Sequence, residues 1–315
     1  MKGALRVFAP ATVANLGPGF DVLGLALSAP GDLVDAELSD RPGVEIVEIT
    51  GDGGLLSRDP QRNVVGRAAA DVLGRARAKG AGDRGVRLWL HKQMPLASGL
   101  GSSGASSAAG AFAVNELLGR PLTQRDVVLS AMEGERAASG SAHADNVAPS
   151  VMGGIVLVRS YTPLDLVVLP VPSDLHVSVV HPHCKVSTAE ARKLVHARTY
   201  SMEQIVPNLG NLASLVAALA AGDLALLGRS IQDSLVEPLR APLIPGFGVV
   251  KQAALDAGAL GCSIAGSGPS VFAFTSDAGM AAKIGEAMQS AFESAAGLKS
   301  DLFSGCVAVQ GARVV

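Results

Sequence analysis

A run of glycine and serine residues lies between the end of a predicted strand and the start of a predicted helix. It comprises Pro95, Leu96, Ala97, Ser98, Gly99, Leu100, Gly101, Ser102, Ser103, Gly104 and Ala105. Backbone N–H groups at a helix start attract anions, and glycine permits the close backbone approach that such a nest needs. A serine hydroxyl there can bind phosphate or Mg²⁺. The run therefore predicts a loop that holds a triphosphate, with an ordinary capped tight loop as the alternative.

The same run also fits the G-x-G-x-x-G pattern of dinucleotide-binding proteins, from Gly99 to Gly104. A dinucleotide fold needs a second parallel strand after the helix, ending in an acidic residue about 20 positions on. A second predicted helix follows instead, at 123–137, which excludes an NAD-dependent oxidoreductase. The loop also lacks the lysine of the Walker A pattern, and the sequence has no G-x-S-x-G elbow of serine hydrolases.

Short strands and helices on either side must position this loop. Alternating and β-branched residues predict strands at 5–9, 33–38, 44–49 and 86–90, with a helix at 63–78 among them. After the loop, small apolar residues predict a buried helix at 105–118, and Thr123 is suited to cap the next helix. A polar loop at 138–146 then leads to a strand at 154–158.

The pattern changes at 161–163, where we expect a domain boundary. Beyond it, strands are predicted at 166–170, 177–181, 270–274 and 306–310, with long helices between them and a helix at 281–297. This order predicts an α+β fold in which helices cover an antiparallel sheet. At 315 residues the chain is expected to form two domains, 1–162 and 163–315, and a single larger α/β domain is the alternative.

The composition is that of a compact globular protein. Hydrophobic residues make up 48% and charged residues 17% of the chain, and the net charge of −2 is spread without blocks of one sign, so we expect no nucleic-acid partner. Three widely spaced cysteines indicate reduced thiols. No signal peptide is recognisable, and the most apolar segment, 212–221, is too short to span a bilayer. We expect a soluble cytoplasmic protein without a membrane partner, in which this segment belongs to the core.

Three segments together resemble the kinase superfamily named for galactokinase, homoserine kinase, mevalonate kinase and phosphomevalonate kinase, the GHMP kinases. They are residues 10–21, 95–105 and 265–270. The second is similar to the superfamily's phosphate loop, and the third to the glycine motif that supports that loop. The first contains Ala14-Asn-Leu-Gly-Pro-Gly-Phe-Asp-Val-Leu-Gly24, which resembles the homoserine kinase branch. Further matches to this branch lie at 134–136, 143–149, 187–192 and Arg240.

The resemblance implies a two-domain α+β fold, with an N-terminal domain like the second domain of ribosomal protein S5 and a ferredoxin-like C-terminal sandwich. It implies ATP and Mg²⁺ as cofactors and L-homoserine as the phosphoryl acceptor. The side-chain hydroxyl of homoserine would take the γ-phosphoryl group of ATP by direct in-line transfer, a step of threonine biosynthesis. Members of the superfamily are often dimers, so a homodimer stays open.

The resemblance also assigns residues to the nucleotide. It implies that residues 95–105 hold the phosphates, that Ser103 and Glu135 bind Mg²⁺, and that Asn63 lies beside the adenine. A hydroxyl and a carboxylate suit this ion, because Mg²⁺ prefers hard oxygen ligands and keeps several of its waters.

Five further residues match positions that contact the amino-acid substrate in the superfamily. Asn15 and Asp21 belong to the first motif, and Asp21 is placed to receive the substrate amino group. Arg192 and Arg240 match positions that grip the substrate carboxylate, a task suited to the planar guanidinium group. His143 is assigned a hydrogen bond to the substrate loop.

Three residues match positions near the reacting atoms. Asn146 corresponds to the residue that orients the acceptor hydroxyl, with Asp145 beside it, and Thr188 lies near the incoming phosphate. Other superfamily branches pair an aspartate base with a lysine, and no such lysine is near 143–146. Asp145 acting as a base and transfer without a base both stay open, because a loose transition state leaves little charge on the nucleophile.

Each of these residues alone has an ordinary explanation as a turn, cap or surface residue. Their joint occurrence favours a kinase active site over these explanations. A transition-metal site at His143 with Asp145, or at His181, His183 and Cys184, is disfavoured because no second ligand pair stands at metal-binding spacing. Structural roles are expected for His181, His183 and Cys184. Two other functions are considered: a kinase for another small alcohol, such as shikimate or an isoprenoid, and a nonenzymatic ATP-binding module. The opposite charges of the substrate residues disfavour the first, and the intact catalytic set disfavours the second.

Overall fold

The computed structural model describes residues 4–139 and 143–315 and contains two β-sheets with helices packed against them. The strands are β1 (Ala4–Ala14), β2 (Leu23–Ser39), β3 (Gly43–Thr50), β4 (Gly85–His91), β5 (Ile155–Tyr161), β6 (Leu164–Leu169), β7 (His176–Pro182), β8 (Gly261–Ile264), β9 (Val271–Thr275), β10 (Ser300–Cys306) and β11 (Arg313–Val314). The helices are α1 (Val64–Ala78), α2 (Ser102–Leu117), α3 (Gln124–Ser139), α4 (Ala144–Met152), α5 (Thr188–His196), α6 (Met202–Ala221), α7 (Leu224–Ser230), α8 (Glu237–Arg240), α9 (Phe247–Asp256) and α10 (Ala278–Ala296).

The first sheet has the strand order β11-β1-β2-β4-β3, and β5 pairs with β2 and with β6. The pairs are antiparallel except β3 with β4, which are parallel and joined by a crossover that contains α1. Helix α2 packs on β1 and β2 and is buried on almost all sides. Its small residues allow this, since a Cβ on Gly110 would lie 2.5 Å from Val65 Cγ2. The phosphate loop before α2 is therefore held at the centre of the first domain.

The second sheet has the order β10-β7-β9-β8 and is antiparallel throughout. With α5 to α8 as an insertion after β7, the order β7-α9-β8-β9-α10-β10 is the β-α-β-β-α-β arrangement of ferredoxin-like folds. Val180 and Phe292 belong to a core formed with α9 and α10 on one face. Val179 and Phe272, on the other face, join the core of the first domain. The predicted two-domain α+β fold is confirmed.

The chain crosses between the first and the second sheet more than once. The predicted boundary between 1–162 and 163–315 falls in the turn of the β5–β6 hairpin, whose strands pair along their length. Near the end of the described chain, β11 returns to the first sheet beside β1. The division of the chain at this position stays a proposal.

Helix α6 contains the apolar segment 212–221. By length and composition alone this helix is apolar enough to cross a membrane, as core helices of soluble proteins also can be, and 22% of its apolar stretch is buried. Leu215 and Leu219 join the main core, whereas Val206 and Leu209 are exposed. The core prediction for 212–221 is therefore confirmed for the inward face of this segment.

Two predicted segments are wrong. The polar loop at 138–146, of which 140–142 lie outside the described residues, ends earlier than predicted because α4 begins at Ala144. Pro149 inside α4 hid the helical pattern, yet α4 packs closely on β2 at Gly24. The predicted strand at 306–310 is also wrong, because β10 ends at Cys306 and the alternating residues after it form one isolated bridge, between Leu27 and Val307.

Candidate active site

The phosphate loop, residues 95–105, connects β4 to α2. Ala97, Gly99 and Gly101 adopt positive φ angles of 56°, 81° and 63°, in the region that favours glycine. Gly101 is the N-cap residue of α2 and provides no side-chain cap, so the first N–H groups of this buried helix can bind an anion. A Cβ on Gly101 would lie 2.0 Å from Thr12 Oγ1, so glycine is required at this position.

The turn at 265–270 supports the phosphate loop from the side of the second sheet. Ser270 donates to the carbonyl oxygen of Ser98 through its hydroxyl (2.6 Å) and its backbone N–H (3.3 Å). A Cβ on Gly99 would lie 2.7 Å from the carbonyl oxygen of Gly268, so the two backbones are in direct contact. The two glycine motifs, far apart in sequence, therefore form one structural unit.

A buried ion pair that the motifs did not reveal lies beneath the first turn of α2. The side chains of Lys92 and Asp32 are 1% and 0% exposed and form this pair. Lys92 Nζ also donates to the carbonyl oxygen of Ser102 (2.9 Å) and to the hydroxyl of Ser106 (2.9 Å). Burial lowers the pKa of Lys92, and the charge of Asp32 opposes that shift. The pair fixes the start of α2, and its only sequence signal is a lysine directly after an apolar strand.

Ser103 and Glu135, the residues assigned to Mg²⁺, lie together where α3 passes the start of α2. The side chain of Ser103 hydrogen-bonds to the buried Glu135 carboxylate. Burial raises the pKa of Glu135, whereas the Ser103 hydrogen bond and the charge of Lys92 oppose that shift. A hydroxyl and a carboxylate in contact at a helix N-terminus are hard oxygen donors, so these residues fit a Mg²⁺ ion.

Larger protein metal sites are absent from residues 4–139 and 143–315, where no three His, Cys, Asp or Glu side chains are grouped to hold a metal ion. A divalent cation at Ser103 and Glu135 would therefore complete its coordination with phosphate oxygens and water. This fits the usual binding of Mg²⁺, by one or two carboxylates together with the phosphates of a nucleotide.

Asn63 is the N-cap residue of α1. Its Oδ1 accepts a hydrogen bond from the N–H of Val65 (3.0 Å), and its Nδ2 donates to the carbonyl oxygen of Ser57 (2.7 Å). Both polar atoms of the side chain are thus used by the fold. The structure gives Asn63 a local structural role, and its assignment to the adenine stays a proposal.

Asp21 and Arg192, assigned to opposite ends of the substrate, form a two-fold ion pair with each other. The guanidinium nitrogens of Arg192 lie 2.9 and 3.0 Å from the two carboxylate oxygens of Asp21. Asp21 has a positive φ of 60°, and its N–H donates to Oδ1 of Asn15 (3.1 Å). Nδ2 of Asn15 donates to the carbonyl oxygen of Gly266 (2.9 Å), which links the first motif to the turn at 265–270.

Arg240 reaches the same cluster from α8. It is 3% exposed, and one guanidinium N–H donates to the Gly266 carbonyl oxygen (2.8 Å). Among the described residues, the buried Nε of Arg240 has no hydrogen-bond partner. The ring of Phe20 lies 5.1 Å from the guanidinium carbon of Arg240 and 5.6 Å from that of Arg192, within cation–π range of both. The motifs did not single out this aromatic residue, which holds the two arginines on the same side of the site.

His143 and Tyr161 border the cluster at the start of α4. Nδ1 of His143 lies 3.3 Å from a guanidinium nitrogen of Arg192, and burial together with that charge lowers the pKa of His143. The hydroxyl of Tyr161 donates to the carbonyl oxygen of Asp21 (2.8 Å) and accepts from the N–H of Ala144 (3.3 Å). Tyr161, which the sequence motifs missed, therefore ties the substrate loop to α4.

Asn146 lies in the first turn of α4, directly against the first turn of α2. A Cβ on Gly104 would be 3.4 Å from the Cβ of Asn146. The Oδ1 of Asn146 accepts a hydrogen bond from the hydroxyl of Thr12 (2.7 Å). Asn146 therefore lies between the phosphate loop and the substrate cluster.

Thr188, at the start of α5, is 3.1 Å from the hydroxyl of Ser267 in the turn that supports the phosphate loop. The assigned substrate residues form one cluster around Gly266, with the phosphate loop on its other side: Asn15, Asp21, His143, Arg192 and Arg240. The contacts of Asn63, with Ser57 and Val65, lie outside this cluster.

Lys92→Met should lower the free energy of unfolding by about 3–5 kcal/mol, because it leaves the Asp32 carboxylate buried without its cation. Lys79→Met is the matched control, since it breaks an exposed pair with Asp126 and should cost about 1 kcal/mol or less. Urea unfolding of the wild-type protein and both variants measures the difference. Equal losses for the two variants would contradict a structural role of the buried pair.

Asp145 should make the folded protein less stable as the pH rises. Burial, followed by repulsion from Asp21, raises the pKa of Asp145 from 3.8 to about 7. The folded state therefore keeps a proton that the unfolded state releases, so stability falls from about pH 4 to about pH 7 and does not recover above it.

Asp145→Asn should remove this dependence and raise the Tm above that of wild type at about pH 8, with little difference at about pH 4. Thermal unfolding of both proteins across this range is the measurement. Asp174→Asn, at an exposed carboxylate, is the control for a general effect of charge. A Tm difference between Asp145→Asn and wild type that is the same at both ends of the range would contradict the raised pKa.

Known proteins similar to this chain cover almost its whole length. The models of the GHMP kinase N-terminal and C-terminal domains match residues 63–154 and 215–294. The homoserine kinase of Chlorobium phaeovibrioides is 50% identical over 99% of this chain and 99% of its own, and that of Arabidopsis thaliana is 46% identical over 94% and 80%. The crystal structure of homoserine kinase from Cytophaga hutchinsonii superposes with a TM-score of 0.94 at 50% identity, covering 100% of this chain and 98% of its own. The chain therefore belongs to the homoserine kinase family of the GHMP kinases.

Proposed function

We propose that the protein transfers the γ-phosphoryl group of ATP to the side-chain hydroxyl of L-homoserine, which forms O-phospho-L-homoserine and ADP in threonine biosynthesis. The observation that carries the proposal is the cluster of opposite charges beside the phosphate loop. Asp21 provides a carboxylate, and Arg192 and Arg240 provide two guanidinium groups. An amino acid presents an ammonium and a carboxylate close together, and such a cluster matches both.

When the substrate binds, each of its charged groups can replace a protein group of the same charge in the Arg192–Asp21 pair. Arg192 and Asp21 bind each other at 2.9 and 3.0 Å. The substrate carboxylate can replace Asp21 as the partner of Arg192, and the substrate ammonium can replace Arg192 as the partner of Asp21. Arg240, whose buried Nε has no partner in the part of the chain that the structure describes, adds a second donor for the carboxylate. A neutral alcohol or a simple acid cannot make both exchanges, so the pocket should prefer a zwitterion.

The nucleotide is assigned to the other side of the cluster. The N-terminus of α2 and the loop at 95–105 would bind the phosphates through backbone N–H groups. Ser103 and Glu135 would hold Mg²⁺, which neutralises charge on the phosphates when bound. Lys92 stabilises the first turn of α2. Its ammonium group donates hydrogen bonds to Ser102 and Ser106 and therefore points towards the helix.

Positioning carries most of the catalysis in this proposal. Asn146 would hold the acceptor hydroxyl against the phosphate loop, and Thr188 would contact the incoming phosphate from the supporting turn. Phosphoryl transfer through a loose transition state needs alignment and charge stabilisation more than a strong base. In this proposal Asp145 is not an obligatory base. It lies in the first turn of α4, beside Asp21 and Arg192.

The same proposal covers the location and assembly of the enzyme. ATP and a free amino acid are cytoplasmic metabolites, so the reaction is assigned to the cytoplasm, without a membrane or nucleic acid as partner. The frequent dimers of the superfamily make a homodimer the proposed assembly.

The purified protein should release ADP rapidly with L-homoserine and slowly with L-threonine, shikimate or mevalonate. We expect kcat/KM for homoserine to exceed the others by about 10²-fold or more, because the alternatives lack either a charge or the primary hydroxyl. A coupled ADP assay measures the rates, and ³¹P NMR identifies the phosphorylated product. Reactions without acceptor and with EDTA are the controls, and both should be near background. A shikimate or mevalonate rate equal to that of homoserine would overturn the substrate assignment.

A further inference from the structure

Thr12, near the end of β1, occupies a position that none of the recognised roles explains. Its side chain is fully buried, at 0% exposure. Its N–H donates to the carbonyl oxygen of Leu100 in the phosphate loop (3.0 Å), and its hydroxyl donates to the Oδ1 of Asn146 on α4 (2.7 Å). One residue therefore links the central sheet, the phosphate loop and the residue that is assigned to the acceptor hydroxyl.

In the structure the hydroxyl of Thr12 faces the oxygen end of the Asn146 carboxamide. The oxygen of a carboxamide only accepts hydrogen bonds, and its nitrogen only donates them. The terminal torsion of asparagine is broad and roughly two-fold, so packing alone does not decide which end points where. Because the Thr12 hydroxyl donates to Oδ1, the N–H end of the amide is turned away from β1.

This hydrogen bond lies directly against the phosphate loop. A Cβ on Gly101 would lie 2.0 Å from Thr12 Oγ1 and 2.7 Å from Asn146 Oδ1, so the two side chains cover the N-cap residue of α2. Gly104, one turn further, contacts Asn146 from the same helix. Any rotation of the carboxamide would occur directly beside the backbone that binds the phosphates.

We propose that Thr12 is a positioning residue for phosphoryl transfer, which holds the Asn146 carboxamide with its N–H end towards the acceptor hydroxyl. The inference rests on the proposed function, because Asn146 matters only if an acceptor alcohol binds against the phosphate loop. It adds a residue from β1 to a site otherwise formed by loops and helices. Thr12 acts through Asn146 and need not touch either substrate.

The first test compares Thr12→Val, which keeps the shape and loses the hydroxyl, with Thr12→Ser, which keeps the hydroxyl. Thr12→Val should lower kcat by about 10- to 100-fold, the range expected when a reacting group is misplaced, with KM for ATP unchanged. Thr12→Ser should retain most of the wild-type kcat. Thr275→Val is the matched control, because Thr275 is a buried threonine at the end of β9 away from the phosphate loop. It should leave kcat unchanged.

A double-mutant cycle with Asn146→Ala distinguishes positioning from a general structural effect. Thr12→Val should lower kcat strongly in the wild-type background and have no further effect in Asn146→Ala. The same four proteins should show a coupling in the free energy of unfolding, since the hydrogen bond exists without substrates. If Thr12→Val does not fold, Thr12→Ala and Asn146→Ala complete the same cycle.

The kcat cycle is measured on whichever alcohol the wild-type protein phosphorylates fastest, so a wrong substrate and a wrong role for Thr12 give different results. Fast turnover of an alcohol other than homoserine would overturn the proposed function and leave the cycle informative. An unchanged kcat in Thr12→Val, or an equal loss in both backgrounds, would overturn the role of Thr12. Failure of Thr12→Ser to retain activity would also contradict it.

Discussion

The site depends on one contact, in which the turn at 265–270 of the second domain closes against the phosphate loop of the first. The Gly266 carbonyl oxygen accepts hydrogen bonds from both Asn15 and Arg240, and the Ser98 carbonyl oxygen accepts from Ser270. A loop with several positive φ angles is costly unless its surroundings fix it, and these bonds do so. Because the same carbonyl oxygen holds Asn15 and Arg240, one from each domain, the proposed nucleotide and amino-acid sides of the site share one support.

Buried charge is the second constraint. Taking a charge out of water is expensive unless a partner is present, and the protein provides partners in two different ways. The Lys92–Asp32 pair is fully enclosed and also bonds to α2, which suits a permanent support. The Asp21–Arg192 pair is about a quarter exposed on each side, at 27% and 21%, which leaves it accessible to a ligand that can replace either partner. One pair maintains the loop, and the other is the one that we propose selects the substrate.

Sequence reasoning predicted the α+β class from local alternation and the phosphate loop from its glycine spacing. The residues of the cluster were predicted only from the resemblance of short motifs to the GHMP kinases. Sequence reasoning missed α4, since Pro149 interrupts the helical pattern and tertiary packing on β2 stabilises the helix. It could not find Lys92 with Asp32, which are 60 positions apart, or the contact of Thr12 with Asn146, 134 positions apart. Such partners are set by strand pairing and helix packing, which no local pattern encodes.

The central claim is that Arg192 recognises the carboxylate of a zwitterionic alcohol, and 3-aminopropan-1-ol, which is homoserine without its carboxylate, tests it most directly. The wild-type enzyme should prefer homoserine over this analogue by roughly 30-fold to several-thousand-fold in kcat/KM, the equivalent of about 2–5 kcal/mol for a buried charged pair. In Arg192→Ala that preference should shrink by about tenfold or more, because only homoserine loses a partner. Arg229→Ala, at an exposed arginine on α7, should leave it unchanged. An undiminished preference in Arg192→Ala would contradict the account.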